Sequence, residues 1–407
     1  KKKVINKSKI NLINKLILYF KNFSSILLIL QLFFFVLIII FYQSSQLSET
    51  YPPKKILNRI NAEQKKATGF DFKDIKSYFI VSAQGLKTKV LGNNLDVMNL
   101  SIDQKNLLLI ERQRLIRNGK AENNKKITNK MAKAQIQVLG ENFRIKIRSK
   151  GVRKLHHYDK DALSYKVDVI GEKRIYGLEE FNLQKPLLRN YSYEYLFHKL
   201  QNEVGNISLK YLFKNLSING SKPSLYVIEE GMSKELIERH TKRYGPILNA
   251  DEIVSEIFPE HSFEAHSEEY WKKENSKLLG TAYSIINSFR ENDFIYEDSF
   301  AWKKWAKYFA VTDLLESYHG SLSKSVNLYY NPTTAKFEPI GYDAHVGAGS
   351  FSNFLIFDFL GSKRPNCSFI CDNKEWFLKF FYTKDKKLRE EFIKAYFLTL
   401  KEISNKE

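Results

Sequence analysis

The sequence is poor in cysteine and lacks the spacings that zinc sites require. Its 407 residues contain two cysteines, Cys367 and Cys371. A separation of four residues gives poor disulfide geometry on a regular helix, so we expect two unpaired thiols. There is no HExxH motif, and we interpret the pairs His156–His157 and His261/His266 as loop histidines rather than as metal ligands.

The sequence also lacks a phosphate-binding loop and the usual nucleic-acid motifs. No GxxxxGK[ST] stretch is present, which excludes a Walker A site. The net charge is +20 and aromatic residues make up 14% of the chain, but no RNP-type, helix-turn-helix or zinc-finger pattern occurs. The positive charge suits anionic lipid headgroups, phosphates or acidic polymers equally well. We therefore expect no specific nucleic-acid partner.

One long run is free of charge. Phe23–Tyr42 is twenty apolar or uncharged residues, enough to span a bilayer as a helix. It is longer than the roughly 7–15 residues of a signal-peptide core, and no A-x-A cleavage site follows it. Seven lysines lie in the first 21 residues, against Lys54, Lys55 and Arg59 after the run. This predicts a single-pass membrane protein with a cytoplasmic N-terminus and an extracytoplasmic main domain.

The rest of the chain divides by its patterns. Asn219-Gly220 lies between two alternating apolar runs and predicts a hairpin, and a second hairpin is predicted from Ala134–Val138 and Phe143–Ile147. A β-rich half followed by a helical half predicts a two-lobed α+β fold with a cleft between the lobes. The predicted segments are a basic cytoplasmic tail (1–22), a transmembrane helix (23–42), a stalk with helical and loop regions (43–133), a β-rich N-lobe (134–232) and a mainly helical C-lobe (233–407).

Several predicted elements can be tested against a structure. The stretch from Ser101 to Gln104 matches a capping box and predicts a helix that ends at Gly119. Arg189–Val204 has helical spacing and is followed by Gly205 as a C-cap. Further helices are predicted at Ser233–Tyr244, Trp271–Asn287, Phe300–Ser317 and Trp376–Ile403.

A pair of short strands near residue 330 suggests a metal site. Asn327 opens one strand, and Phe337–Ile340 forms the next, with Asp343 just past its end. Oxygen ligands of this kind suit Mg²⁺, which usually completes its shell with water and substrate phosphates. We expect the Asn327 and Asp343 side chains to converge there.

Taken together, several motifs resemble the spore-coat CotH family of kinase-like proteins, most closely a membrane-anchored branch. The resemblance covers roughly residues 140–350, and it implies a two-lobed, atypical protein-kinase-like domain. It also implies transfer of a phosphoryl group from ATP, with Mg²⁺, to a hydroxyl of a protein or surface polymer. The motifs are IRSKG (147–151), SYKVDV (164–169), the stretch 177–200, INGS (218–221), YVIEEG (226–231), RYGPIL (243–248) and the block 327–343.

The resemblance assigns roles near the second block. Asp343 and Asn327 are the expected metal ligands, like the DFG aspartate and the catalytic-loop asparagine of protein kinases. The family often has a catalytic aspartate before this block, but none lies between Asp313 and Asp343. The candidate bases are therefore Glu316 and His319, or the base is absent.

The resemblance also assigns nucleotide-binding roles in the first half. Arg148 and Lys166 are expected to meet phosphates, Glu194 to pair with Lys166 as the αC glutamate does in kinases, and Glu230 to face an adenine at the hinge. Asp168 stands where the family has a second lysine, which counts against nucleotide binding. The missing aspartate near residue 316 and His345 in place of a second aspartate favour an alternative. That alternative is a catalytically degenerate scaffold or binding protein of the cell envelope.

Overall fold

The computed structural model describes residues 95–121, 125–151, 156–157, 163–189, 191–250, 263–290, 298–315, 317–323, 325–344 and 374–404. These residues form a mixed α+β domain, as predicted. Phe23–Tyr42, Glu316, Cys367 and Cys371 lie outside the described residues. Within the described ranges, no helix is long and apolar enough to cross a membrane.

The strands and helices are numbered in chain order. The strands are β1 (Val97–Ser101), β2 (Ala132–Val138), β3 (Glu141–Ser149), β4 (Tyr165–Val169), β5 (Glu180–Gln184), β6 (Ile207–Ser208), β7 (Tyr211–Ile218), β8 (Ser224–Glu230), β9 (Ile247–Ala250), β10 (Phe263–Ala265), β11 (Asn327–Asn331) and β12 (Lys336–Gly341). The helices are α1 (Gln104–Arg117), α2 (Lys125–Thr128), α3 (Tyr193–Glu203), α4 (Lys234–Arg239), α5 (Glu268–Glu274), α6 (Ser276–Arg290), α7 (Trp302–Leu314), α8 (Lys374–Phe381) and α9 (Lys386–Ser404).

The first half is a closed barrel with the strand order β1-β2-β3-β4-β5-β8-β7. Alternate residues such as Ile145, Val167 and Phe181 point into its apolar core, as period-two patterning requires. Both predicted hairpins are confirmed. Leu139-Gly140 and Asn219-Gly220 have positive φ at both residues, the backbone conformation that Asn and Gly tolerate best.

The barrel begins earlier than the predicted boundary at residue 134. Strand β1 pairs with β2 and, in parallel, with β7, and so closes the barrel. The Asn219 side chain helps to fix this closure, because it accepts the Ile102 N–H (2.8 Å) and donates to the Ile102 carbonyl (3.0 Å). Helix α1 is present, but Asp103 rather than Ser101 caps it, accepting the Asn106 N–H.

The second half contains more sheet than predicted. A five-stranded sheet with the order β10-β9-β11-β12-β6 packs with the helices around an aromatic core that includes Trp305, Phe309 and Phe380. Two predicted long helices are each divided in two. Asn275 ends α5 and caps α6 through the Leu278 N–H, and Asp385 caps α9 through the Lys387 N–H.

Helix α3 joins the two halves. It contacts barrel strand β7 on one side and helix α7 and strand β12 on the other. Gln201 on this helix donates to the Tyr308 carbonyl of α7 (3.2 Å). Val204 and Gly205 end the helix as predicted, although it begins at Tyr193 rather than at Arg189. Its first turn places Glu194 where the barrel meets the end of β12.

Candidate functional site

A row of polar side chains crosses five strands of the barrel at one level. Because the residues between them along β3, β4, β5 and β8 point into the apolar core, these side chains face outward. The row contains the two cations predicted to meet phosphates. Its members, each directly opposite the next, are Arg148, Lys166, Asn182, Glu229 and Tyr211.

Arg189 is the central cation of the site. It ends the 3₁₀ turn Pro186–Arg189 that follows β5, and its side chain is only 9% exposed. Its guanidinium forms an ion pair with Asp343, and Nε lies 3.9 Å from Glu229 Oε1. Burial by itself would lower the pKa of Arg189, but Asp343, Glu229 and Glu194 raise it above the usual value. Arg189 therefore stays charged and holds the carboxylates around it.

Glu229 is a fully buried carboxylate that remains ionised. Lys150 Nζ lies 3.0 Å from Oε2, Asn182 Nδ2 donates to the same oxygen (3.0 Å), and Gln184 Nε2 donates to Oε1 (3.0 Å). Burial alone would raise the pKa of Glu229, but Lys150 and Arg189 hold it below its usual value. On the barrel side of the site, three donors therefore hold the Glu229 carboxylate in one orientation.

Glu194 is a second fully buried carboxyl, and its chemistry is different. Its Oε1 accepts the Ala344 N–H (3.2 Å) and lies 3.5 Å from His198 Nε2, while Oε2 has no hydrogen-bond partner in the described part of the chain. Burial raises the pKa of Glu194 to about 8, against the opposing effect of Arg189. Near pH 7 this carboxyl is mostly protonated. With Glu194 neutral, the charged groups around Arg189 are two cations, Lys150 and Arg189, and two carboxylates, Glu229 and Asp343.

Asp343 lies just past the end of β12 with φ at +46°. This left-handed conformation is uncommon outside glycine and is typical of constrained functional positions. Besides the ion pair with Arg189, the residue contacts His319, whose Nδ1 is 3.2 Å from both the Oδ2 and the backbone oxygen of Asp343. Both oxygens are acceptors, so Nδ1 carries the proton. A neutral His319 ring then has its lone pair on Nε2.

Gly320 makes the approach of His319 to Asp343 possible. A Cβ atom at this position would lie 1.9 Å from the Tyr342 carbonyl oxygen, which is a hard clash. The 3₁₀ turn His319–Ser321 therefore packs against the end of β12 only with glycine at its centre. The His-Gly pair in the sequence is the local signal for this contact.

A second polar group lies beside the row. Lys166 Nζ pairs with Glu180 Oε1 (2.9 Å), and His266 Nε2 donates to Asn327 Oδ1 (3.3 Å). Burial lowers the pKa of His266, and both Glu180 and Lys166 are close enough to influence it. The second half of the domain therefore faces the barrel row at Lys166 as well as at Arg189.

The structure brings some of the predicted residues together. His319 contacts Asp343, Glu194 accepts the N–H of the next residue, Ala344, and Arg148 and Lys166 are neighbours in the polar row. The hairpin of β11 and β12 carries Asn327 and Asp343 to the same end, but the Asn327 amide is bonded to His266 and to the Ser325 carbonyl.

Other expectations need correction. The predicted pairing of Lys166 with Glu194 is wrong, because Lys166 pairs with Glu180 and Arg189 is the cation beside Glu194. Glu230 lies on the opposite side of β8 from Glu229. Its carboxylate pairs with Arg239 of α4 and accepts the Lys210 N–H (2.7 Å), which fixes α4 to the barrel.

The sequence motifs contain the residues that hold the site together, but they do not predict the contacts among those residues. Arg189, Lys150, Asn182 and Glu229 are central, yet singly each resembles an ordinary surface or strand residue. His156 is a further, half-buried neighbour, and its Nδ1 lies 2.9 Å from Ser164 Oγ. Burial, with Arg189 and Lys150 nearby, lowers the pKa of His156 to about 3.

The donor set can be tested for a metal. In the ranges that the structure describes, no group of three or more His, Cys, Asp or Glu side chains forms a metal site. Mg²⁺ does not require such a group, because one or two carboxylates suffice when phosphates and water complete its shell. The Asp343 carboxylate, 15% exposed at the end of a strand, fits that role.

Comparison with known proteins agrees with this architecture. None of the curated proteins compared with the chain matches it. The family model described as CotH kinase protein matches residues 147–406, which include every candidate site residue discussed above. This match covers well over half of the 407 residues, and it spans the barrel strands from the last residues of β3 onward as well as the helical half. The chain therefore belongs to the CotH kinase family, and its domain is kinase-like.

Proposed function

We propose that this protein transfers the γ-phosphoryl group of ATP to a hydroxyl of a protein or an envelope polymer. The supporting observation is the group of charged and titratable side chains around Arg189. This group, the Arg189 cluster, consists of Arg189, Lys150, Glu229, Glu194 and Asp343. Clusters of this kind, with perturbed pKa values and a strained backbone, are typical of functional sites. In phosphoryl transfer, catalysis consists mostly of positioning and charge neutralisation, which such a cluster supplies.

Each residue has a defined part in this proposal. Arg148 and Lys166 bind phosphate oxygens from the polar row, and Asp343 holds Mg²⁺ with Arg189 beside it. Bound Mg²⁺ supplies further neutralisation of phosphate charge. Glu194, uncharged near pH 7, adds no negative charge that would repel the nucleotide.

Of the two candidate bases, His319 is the one that lies within the described residues. Its Nδ1 is oriented by Asp343, an arrangement in which a carboxylate group fixes the tautomer and orientation of a catalytic imidazole. The Nε2 lone pair would accept the proton of the acceptor hydroxyl. Glu316, four positions from Gly320, lies outside the described residues and stays a prediction.

Calorimetry of nucleotide binding by the full chain tests the proposal. We expect ATP to bind with a clear dependence on Mg²⁺, and Asp343→Ala to remove that dependence and weaken ATP·Mg²⁺ binding at least about tenfold, since even second-shell changes at metal sites cost this much. Asp298→Ala removes an exposed carboxylate paired with Lys336 and is the matched control. Equal binding by the wild type and Asp343→Ala would contradict the assignment.

One observation favours a second candidate, a degenerate envelope scaffold. The Asp343 carboxylate is already paired with Arg189, and the position two residues later holds His345 instead of the aspartate common in the family. A chain that has lost catalysis would keep such an internal ion pair for stability. Absence of ATP binding, with and without Mg²⁺, would support this candidate.

We further propose that the protein is anchored by Phe23–Tyr42 with its N-terminus in the cytoplasm. The support is the uncharged run itself and the excess of lysine before it. The kinase-like domain would then lie outside the cytoplasm, close to anionic membrane surfaces and envelope acceptors. Protease protection of tagged termini in sealed vesicles distinguishes this orientation from its inverse.

A further inference from the structure

From Arg144 onward, strand β3 carries a cation at every outward position. The intervening residues Phe143, Ile145 and Ile147 lie in the barrel core. This row of positively charged side chains ends at the candidate site, because Lys150 pairs with Glu229, which lies beside Arg189. The cations are Arg144, Lys146 and Arg148 on the strand and Lys150 just beyond it.

The neighbouring strands add like charges in register. Lys133 of β2 is directly opposite Lys146, and Lys166 of β4 is directly opposite Arg148. Like charges in directly opposed positions destabilise an antiparallel sheet. We call Lys133, Arg144, Lys146, Arg148 and Lys166 the cationic face.

Acidic residues neutralise this face only in part. Asp168 is opposite Lys146, and Glu180 pairs with Lys166. In the part of the chain that the structure describes, Lys133 and Arg144 form no ion pair. A sheet that keeps uncompensated and opposed cations is suited to an anionic ligand, which would relieve their repulsion.

A cavity lies at the far end of the cationic face. Its volume is about 690 Å³, and it is lined by three of the cations, by the Asp103 carboxylate and by polar and apolar residues. The lining residues that can bind an anionic side chain are Lys133, Arg144, Lys146, Ser101 and Gln135. Three cations against one carboxylate leave this concave site with a net positive charge.

The far end of the face lies beyond the residues proposed to bind the nucleotide phosphates. Arg144 precedes Arg148 by four residues, a separation of about 13 Å along an extended strand. A triphosphate held at Arg148 and Lys166 does not cover Arg144 as well. A second, extended ligand is therefore needed to neutralise Arg144, Lys146 and Lys133 together.

We propose that Lys133, Arg144 and Lys146 of the cationic face bind an extended acidic peptide, and that the face leads this peptide to the candidate active site, where Arg148 and Lys166 meet the phosphates. Alternate residues of an extended chain repeat at about 6.6 Å, which is the repeat of Arg144, Lys146 and Arg148 on their own strand. The acceptor is then a protein segment with acidic residues at alternate positions near the reacting hydroxyl. The role of this peptide as the phosphoryl acceptor rests on the proposed function. Binding of the peptide does not depend on phosphoryl transfer.

The surface chemistry favours a peptide over a single-stranded nucleic acid. Proteins that bind single strands combine positive charge with aromatic side chains on which bases stack. No aromatic residue faces outward on β2, β3 or β4, where the outward positions hold Lys, Gln, Asn, Arg and Asp. Glutamine and asparagine between the cations instead suit hydrogen bonding to a peptide backbone.

Fluorescence anisotropy with the full chain tests the proposal. The probe is a labelled peptide in which Glu and Ser alternate, and its partner has Gln in place of Glu. We expect the Glu peptide to bind at least about tenfold more tightly, and the double variant Arg144→Gln with Lys146→Gln to lose about tenfold, as two exposed ion pairs would give. Lys199→Gln with Lys277→Gln removes the same charge from exposed positions elsewhere and should change binding less than about twofold.

Each outcome is decisive. Equal binding of the two peptides, equal loss in both double variants, or tighter binding of an oligothymidylate of matched length would overturn the proposal. Calorimetry of ATP·Mg²⁺ runs in parallel on the same proteins, and Arg144→Gln with Lys146→Gln should leave it unchanged. Peptide binding without ATP binding would contradict the proposed phosphotransfer and support the peptide site. ATP binding without peptide binding would support phosphotransfer and contradict the peptide site.

Discussion

Arg189→Ala should destabilise the domain by about 3–5 kcal/mol, the usual cost of removing one partner from a buried ion pair. Arg189 is the cation shared by Asp343, Glu229 and Glu194. Without it, Asp343 loses its ion pair, and Glu229 keeps only Lys150 and two amides. The carboxylates then repel one another in a site with little water. Urea unfolding at pH 7 measures the loss.

Two variants accompany this experiment. Arg189→Lys keeps the charge but loses the planar guanidinium, so we expect a smaller loss than for alanine. Arg243→Ala removes an exposed arginine and should change the unfolding free energy by less than about 0.5 kcal/mol. An Arg189→Ala protein as stable as Arg243→Ala would show that the carboxylates do not depend on this cation.

The stability of the wild type should fall relative to Glu194→Gln as the pH rises from about 5 to 8. The pKa of Glu194 is raised from 4.5 to about 8 in the folded protein. Between these values the folded state holds a proton that the unfolded state has lost, so each pH unit costs about 1.4 kcal/mol. The stabilising contribution is complete below pH 4.5 and is lost by about pH 8. Glutamine mimics the neutral carboxyl and does not titrate.

Comparison of the two proteins isolates this carboxyl. His156 and His198 have pKa values lowered to about 3 and about 4, so their contributions are lost as the pH falls, in the opposite direction. They are present in both proteins and largely cancel in the difference. Urea unfolding in EDTA buffer at several pH values measures that difference. A difference that does not change with pH would mean that Glu194 is ionised like a surface glutamate.

The sequence predicted the elements with strong local signals. The Asn219-Gly220 turn, the hairpin of β2 and β3, the β11–β12 hairpin with Asp343 at its end, and the Gly205 helix stop all depend on turn chemistry or on short periodic runs. The family motifs also led to Asp343 and Lys166. These features are encoded within a few residues and can be read without knowledge of the tertiary fold.

The contacts that define the site are not local. Glu229, Arg189 and Asp343 are separated by tens of residues or more, and which cation faces which carboxylate depends on how α3 packs between the two halves. Lys166 therefore pairs with Glu180 on the adjacent strand, although the kinase analogy favoured Glu194. The early start of the barrel was missed because β1 is short and gains its stability from pairing with distant β7.

Transfer of radiolabelled phosphate from ATP by the full chain tests the central claim most directly. We predict incorporation into the protein itself or into an acidic Ser-containing peptide, dependent on Mg²⁺. Asp343→Asn should reduce it by about 100-fold or more, because losing one preorganised electrostatic contact costs this much in other enzymes. Asp298→Asn should leave it unchanged. Incorporation that persists in Asp343→Asn, or its absence from a wild-type protein that binds ATP·Mg²⁺, would contradict the account.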